Sequence, residues 1–183
     1  MSEKTKKTEA QQNTPGSRDE LREMLRHFRT AMLVTHDTTG MPRARPLVIV
    51  KVEDDARVWF ATTDHSPKIR EITGDAAVAV VCHRSSDEAW ISVSGHARLV
   101  RDRQRAHAMW SPGLQAWFSG PDDPALLLIE VVPTHAEYYG ADRPMIARAF
   151  QLAKGILTRE PPKTGPIKHV ELERLSDPGR LSH

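Results

Sequence analysis

Apolar residues recur with a period of two through most of residues 30–139, and with a helical period only in short stretches. Leu21, Met24, Leu25 and Phe28 fall at helical spacing and predict an amphipathic helix over 18–29. Six strand patterns follow, at 31–36, 43–53, 58–63, 76–83, 90–100 and 125–139. The clearest alternation is "WISVSGHARLV", where Ile91, Val93, Ala97 and Leu99 share one face and Ser92, Ser94, His96 and Arg98 the other. "DTTG" and "EDDAR" turn the chain between the first three strands, and "RSSDEA" joins the fourth to the fifth. Pro46 lacks a backbone N–H, so the second strand should run along an edge or carry a bulge; Pro133 interrupts the last one. Further helices are predicted from Ser66-Pro67 to about Thr73, with Gly74 as a stop, and across 102–110. Short turns between regularly spaced strands favour a mainly β fold, a small antiparallel barrel with flanking helices, over a doubly wound sheet. No G-x-G-x-x-G follows a strand, and no P-loop is present.

The pattern divides the chain. Residues 1–17 are polar, end in "NTPGS" and read as a disordered tail; 18–140 hold the barrel domain. An apolar helical pattern over 145–157 makes 141–158 a helical extension, and 159–183 form a Pro-rich polar tail. The 26 Lys and Arg against 24 Asp and Glu, a net charge of +2, argue against a nucleic-acid binder, which would show a concentrated basic excess. No apolar run reaches the roughly 18 to 20 residues of a membrane helix. The N-terminus has no signal-peptide core, so the expected setting is cytoplasmic, away from membranes. The single cysteine, Cys82, excludes a disulfide framework and reads as a buried small hydrophobe. The histidines show no metal spacing; His83 and His96 could face each other across adjacent strands without making a site, and no metal is expected.

One stretch carries candidate chemistry. In "TTDHSPKIREI", Ser66 suits an N-cap and Pro67 a first helical turn, yet Lys68 places a cation at the positive end of the helix dipole. Ile69 stands where a capping-box Glu or Gln would reach back. Two readings are open. Ser66 caps the helix while Lys68 extends into water, or the helix N-terminus, the Ser66 hydroxyl and the Lys68 ammonium form an anion cradle. Thr62 and Thr63 could then add hydroxyl donors, and Arg45 a second cation. Aromatic residues are only 5% of the chain, yet Trp110, Trp117 and Phe118 crowd into "MWSPGLQAWFSGPDDP". They pack on their own barrel, on a second subunit, or on a flat cofactor. No Ser-His-Asp order or carboxylate pair stands out, so no catalytic residue is nominated, and a reactive group would come from a cofactor.

The segments "AMLVTHDTTGMPRARPL", "VWFATTDHSPKIREI", "WISVSGHARLV", "MWSPGLQAWFSG" and "LLLIEVVPTHAEYY", in this order, resemble the pyridoxamine 5'-phosphate oxidase-like family of FMN-binding split barrels, and within it the general stress protein subgroup. The likeness covers roughly Leu21 to Gly140. It implies a six-stranded antiparallel split barrel that forms a homodimer with FMN between the subunits. It implies that Arg45, Pro46 and Leu47 line the flavin and its ribityl chain, that Thr62 and Thr63 continue that wall, and that Ser66 and Lys68 hold the phosphate. Trp110, Trp117 and Phe118 would approach the ring system from the partner. The implied activity is an FMN-dependent oxidoreductase drawing on a nicotinamide or a small organic donor. A non-catalytic flavin-binding stress protein, or a split barrel using deazaflavin or haem, are the alternatives. The tail "ELERLSDPGRLSH" does not reproduce the arginine-containing segment of true pyridoxamine phosphate oxidases, which speaks against vitamin B6 oxidation.

Overall fold

The period-two patterns close into a ring. The computed structural model describes residues 14–15, 17–86, 89–139 and 168–172. In chain order it contains β1 (Thr14–Pro15), α1 (Arg18–Arg26), β2 (Thr30–His36), β3 (Pro42–Val52), β4 (Val58–Thr63), α2 (Pro67–Gly74), β5 (Ala77–Arg84), β6 (Ala89–Val100), α3 (Arg103–Ala108), a 3-10 turn (Pro112–Ala116), β7 (Leu126–Tyr139) and β8 (Lys168–Glu171). Successive antiparallel pairing runs β7-β4-β3-β2-β5-β6, and β6 returns to β7. This is the six-stranded antiparallel barrel that the alternation predicts.

Inward positions supply the core: Leu33, Val58, Phe60, Val80, Cys82, Ile91, Val93, Ile129 and Val131 are all buried. Burial pushes the Cys82 thiol up to about 12, which fits an inert core residue. α1 seals one end of the ring with Leu21 and Leu25. A capping box fixes its start: the Glu20 N–H donates to Ser17 Oγ at 3.1 Å, and the Ser17 N–H to Glu20 Oε2 at 3.2 Å. Tyr138 Oη donates to the same carboxylate at 3.0 Å and ties the helix to β7. A second apolar layer lies outside β4 and β7, where α3 and the 3-10 turn cover Trp59, Leu126 and Leu128 with Ala106, Met109 and Leu114.

β3 explains its own proline. It pairs with β2 from Pro42 to Val48 and with β4 only from Ile49 to Val52. Pro46 therefore sits where one edge of the strand has no ladder to supply, as its missing N–H requires. Beyond Phe60, β4 pairs only with β7 in turn. The barrel is split between residues 42–48 of β3 and 61–63 of β4, and α2 lies just after that gap in the chain.

A second irregularity falls where β6 meets β7. The register shifts between Ser94 and Gly95, and Gly95 faces Pro133. A Cβ on Gly95 would collide with the Val132 carbonyl oxygen and lie 3.1 Å from the Pro133 Cα, both backbone atoms with nowhere to go. Gly95→Ala should lower the unfolding free energy by about 1–3 kcal/mol through overpacking. Urea unfolding of the two proteins checks this.

Several expectations need correction. The two tails each contribute a strand: β8 pairs antiparallel with β7 from His135 to Tyr138, and β1 pairs parallel with β8. Val170 and Leu172 join the core, so the barrel unit does not end at 140. Four residues alternating once or twice give too weak a pattern to separate a strand from a polar tail. His83 and His96 do not face each other, since His83 lies opposite Trp90, on which it stacks at 3.8 Å, and His96 opposite Ala77. The helix expected over 145–157 lies outside the described residues.

Candidate functional site

The opening between β3 and β4 is lined from both sides by inward positions. On β2, Ala31 and Leu33 point into the core, and their partners on β3 are Leu47 and Arg45. Thr62 points inward from β4 and is buried. α2 enters next. Ser66 has the extended backbone of an N-cap, yet its hydroxyl makes no capping bond. It accepts a hydrogen bond from Lys68 Nζ instead. Lys68 Nζ also donates to Thr62 Oγ1 at 2.9 Å, and the residue is only 8% exposed.

Neither half of the first reading of this stretch survives: Ser66 does not cap, and Lys68 does not extend into water. The ammonium is turned back into the split of the barrel and bonded to two neutral hydroxyls. Among the described residues no carboxylate lies within ion-pair distance of it. Burial pulls the Lys68 pKa down, and the nearby charge of Arg45 pulls it further; Glu71 opposes both. A cation kept at such a cost, with no anion in contact among the described residues, asks for one from outside.

Arg45 is anchored differently. Its Nη2 lies 2.5 Å from Glu71 Oε2, and its Nη1 donates to Thr35 Oγ1. The Thr35 hydroxyl donates in turn to Glu71 Oε2. Thr35 is fully buried. The pair grips the guanidinium by one edge, so three of its five N–H groups have no partner among the described residues. Sequence reasoning missed Thr35 and Glu71. Both carried a signal: Glu71 follows Lys68 by one helical turn, and Thr35 continues the inward series Ala31, Leu33.

Arg45, Thr62, Ser66 and Lys68 are thus brought together. Leu47 follows Arg45 on the inner side of β3, half-buried, whereas Pro46 points outward and is exposed. Thr63 is half-buried, and its carbonyl accepts the Ser66 N–H at 3.2 Å. The aromatic group lies on the outer layer. Phe118 is buried with Ala106, Leu114 and Leu126, and Trp110 packs half-buried against them. Trp117 differs, being 73% exposed.

Four likenesses to known proteins bear on this arrangement. A family model described as pyridoxamine 5'-phosphate oxidase like matches residues 16–163. Protein bli-3 of Neurospora crassa is 26% identical over 164 residues, covering 84% of this chain and 78% of its own. The crystal structure of general stress protein 26 from Bacillus anthracis superposes with a TM-score of 0.59 at 27% identity, over 64% of this chain and 89% of that one. The general stress FMN/FAD binding protein from Xanthomonas citri has a TM-score of 0.60 at 24% identity, over 70% and 91%. That last likeness is one of fold.

Proposed function

The chain belongs to the pyridoxamine 5'-phosphate oxidase-like family, and we propose that it is an FMN-binding oxidoreductase whose flavin phosphate sits among Arg45, Thr62, Ser66 and Lys68. The observation that carries the reading is the buried Lys68 ammonium, bonded only to hydroxyls and lacking a carboxylate partner among the described residues. A phosphate supplies the missing charge, and the N-terminus of α2 adds a favourable dipole at the same place. Arg45 adds a second cation already fixed in direction by Thr35 and Glu71. Bound flavin would supply the hydride and electron chemistry, while the protein anchors it and keeps water from it.

The reading includes a homodimer with flavin between the subunits. What supports it is the partly exposed apolar outer face of β3, β2 and β5. There Met32 lies between Pro46 and Val81, and Val34 between Ala44 and Ala79. Met32 and Val48 are exposed, the latter 44%. Apolar sheet surface left open in this way marks a contact face. Trp117 is the ring best placed to reach a partner's site, because it contributes little to its own core. Trp117→Ala should change stability by no more than about 0.5 kcal/mol, yet weaken flavin retention or dimerisation. Sedimentation and flavin content check both, and no change in either would make the ring an ordinary surface residue.

The purified protein should show flavin absorbance or acquire it on adding FMN. A colourless protein that cannot be reconstituted would refute the reading. The likeness to general stress proteins favours a second reading, a flavin-holding protein without turnover of its own. Anaerobic mixing with NADH and NADPH separates the two, since only an oxidoreductase that takes electrons from a nicotinamide bleaches at a catalytically useful rate.

A further inference from the structure

We propose that Glu71 sets the charge of the ligand this site accepts: with Arg45 and Lys68 it leaves one net positive charge, so a phosphate monoester binds together with one proton. The inference rests on the flavin-phosphate reading and adds to it a rule of charge matching.

The count is short. Two cations, Arg45 and Lys68, share the opening with one carboxylate, Glu71, which lies 2.5 Å from Arg45. The groups packed around them add little. Asp37, on the β2–β3 turn, pairs with Arg43 at 2.8 Å, and Asp64, on the β4–α2 turn, with Arg101 at 2.8 Å and His65 at 3.0 Å. On the other side of Glu71 a cavity of about 510 Å³ is lined by Arg70, Asp75 and His36. Arg70 and Asp75 there carry opposite charges. The N-terminus of α2 contributes about half a positive charge.

A phosphate monoester carries close to two negative charges above its second pKa of about 6. Against the roughly 1.5 positive charges of the opening, the dianion beside Lys68 would leave about half a negative charge uncompensated in a mostly buried site, at a desolvation cost. One proton taken up from solvent removes that excess negative charge. A phosphodiester arm, which carries one charge throughout this range, needs no proton. Glu71 therefore makes the site tolerant of diester-linked flavins and makes FMN binding weaken as pH rises. Above the phosphate pKa, uptake of one proton means about tenfold loss of affinity per pH unit.

The test is calorimetric titration of FMN into flavin-free protein at pH 8, in buffers of different ionisation enthalpy, for wild type and Glu71→Gln. The glutamine keeps an acceptor for Thr35 and Arg45 while removing the charge. The expected result is uptake near one proton in the wild type and near zero in the variant, with an FMN Kd in the variant that stays flat from pH 7 to 8. No uptake in the wild type overturns the proposal. Equal or greater uptake in the variant also overturns it, because the proton would then be going to Lys68. Riboflavin, which has no phosphate, should bind without uptake in either protein. If neither flavin binds, inorganic phosphate is the probe: Glu71-dependent uptake with phosphate alone refutes the flavin reading and leaves this inference standing. Absence of phosphate binding as well overturns both.

Discussion

Lys68→Met should weaken FMN binding by about 1–3 kcal/mol, roughly five- to 150-fold, without loss of stability. The two effects have one cause. In the free protein the ammonium is buried against the Thr62 and Ser66 hydroxyls, and its pKa is lowered mainly by that burial. Methionine fills the same channel and needs no solvation, so the folded state is unchanged or somewhat favoured. With a phosphate in the opening the balance reverses, because a charge-assisted hydrogen bond is lost. Fluorescence titration of FMN and a thermal melt measure the two quantities. A melting temperature that falls while affinity holds would make Lys68 a structural residue.

The second large effect concerns the tail strand. Val170 is buried among the core residues that Leu172 and Tyr138 also reach. Val170→Asp would sacrifice about 1.5–3 kcal/mol of apolar burial and add the cost of a buried carboxylate. β8 is short and lies on one edge of β7, so detachment is the easier outcome, and the loss is capped at the docking free energy of that strand. Backbone amides of 135–138 and 168–171 should then exchange several tens of times faster, while those of β2 and β5 keep their protection. Uniform acceleration across the barrel would mean that β8 is needed for the whole fold, and no change would mean that it is not docked in solution.

How far the sequence could be read follows from where its signals lie. The six barrel strands were legible because each has one face in the core and the other outside, which writes an alternation into the chain. Pro46 was legible as the mark of an edge or a bulge because a residue without an N–H cannot serve a ladder on both sides. β8 was not, since its partner β7 lies some thirty residues earlier and its own pattern is two residues deep. At the site, Ser66 and Lys68 stood out by breaking a local rule, a cation at the wrong end of a helix. Which way the lysine turned was a tertiary matter, decided by the split between β3 and β4. Thr35 and Glu71 broke no local rule. Their role appears only when β2, β3 and α2 converge on Arg45. The aromatic segment separated in the same way, with Phe118 absorbed by packing and Trp117 left exposed.

The central claim is that this opening holds a flavin by its phosphate, and one comparison tests it most directly. Flavin-free protein is titrated with FMN and with riboflavin at pH 7, and the two dissociation constants are compared. Phosphate anchoring predicts that FMN binds at least about tenfold more tightly, as one charge-assisted contact requires. Equal affinity for the two would contradict it.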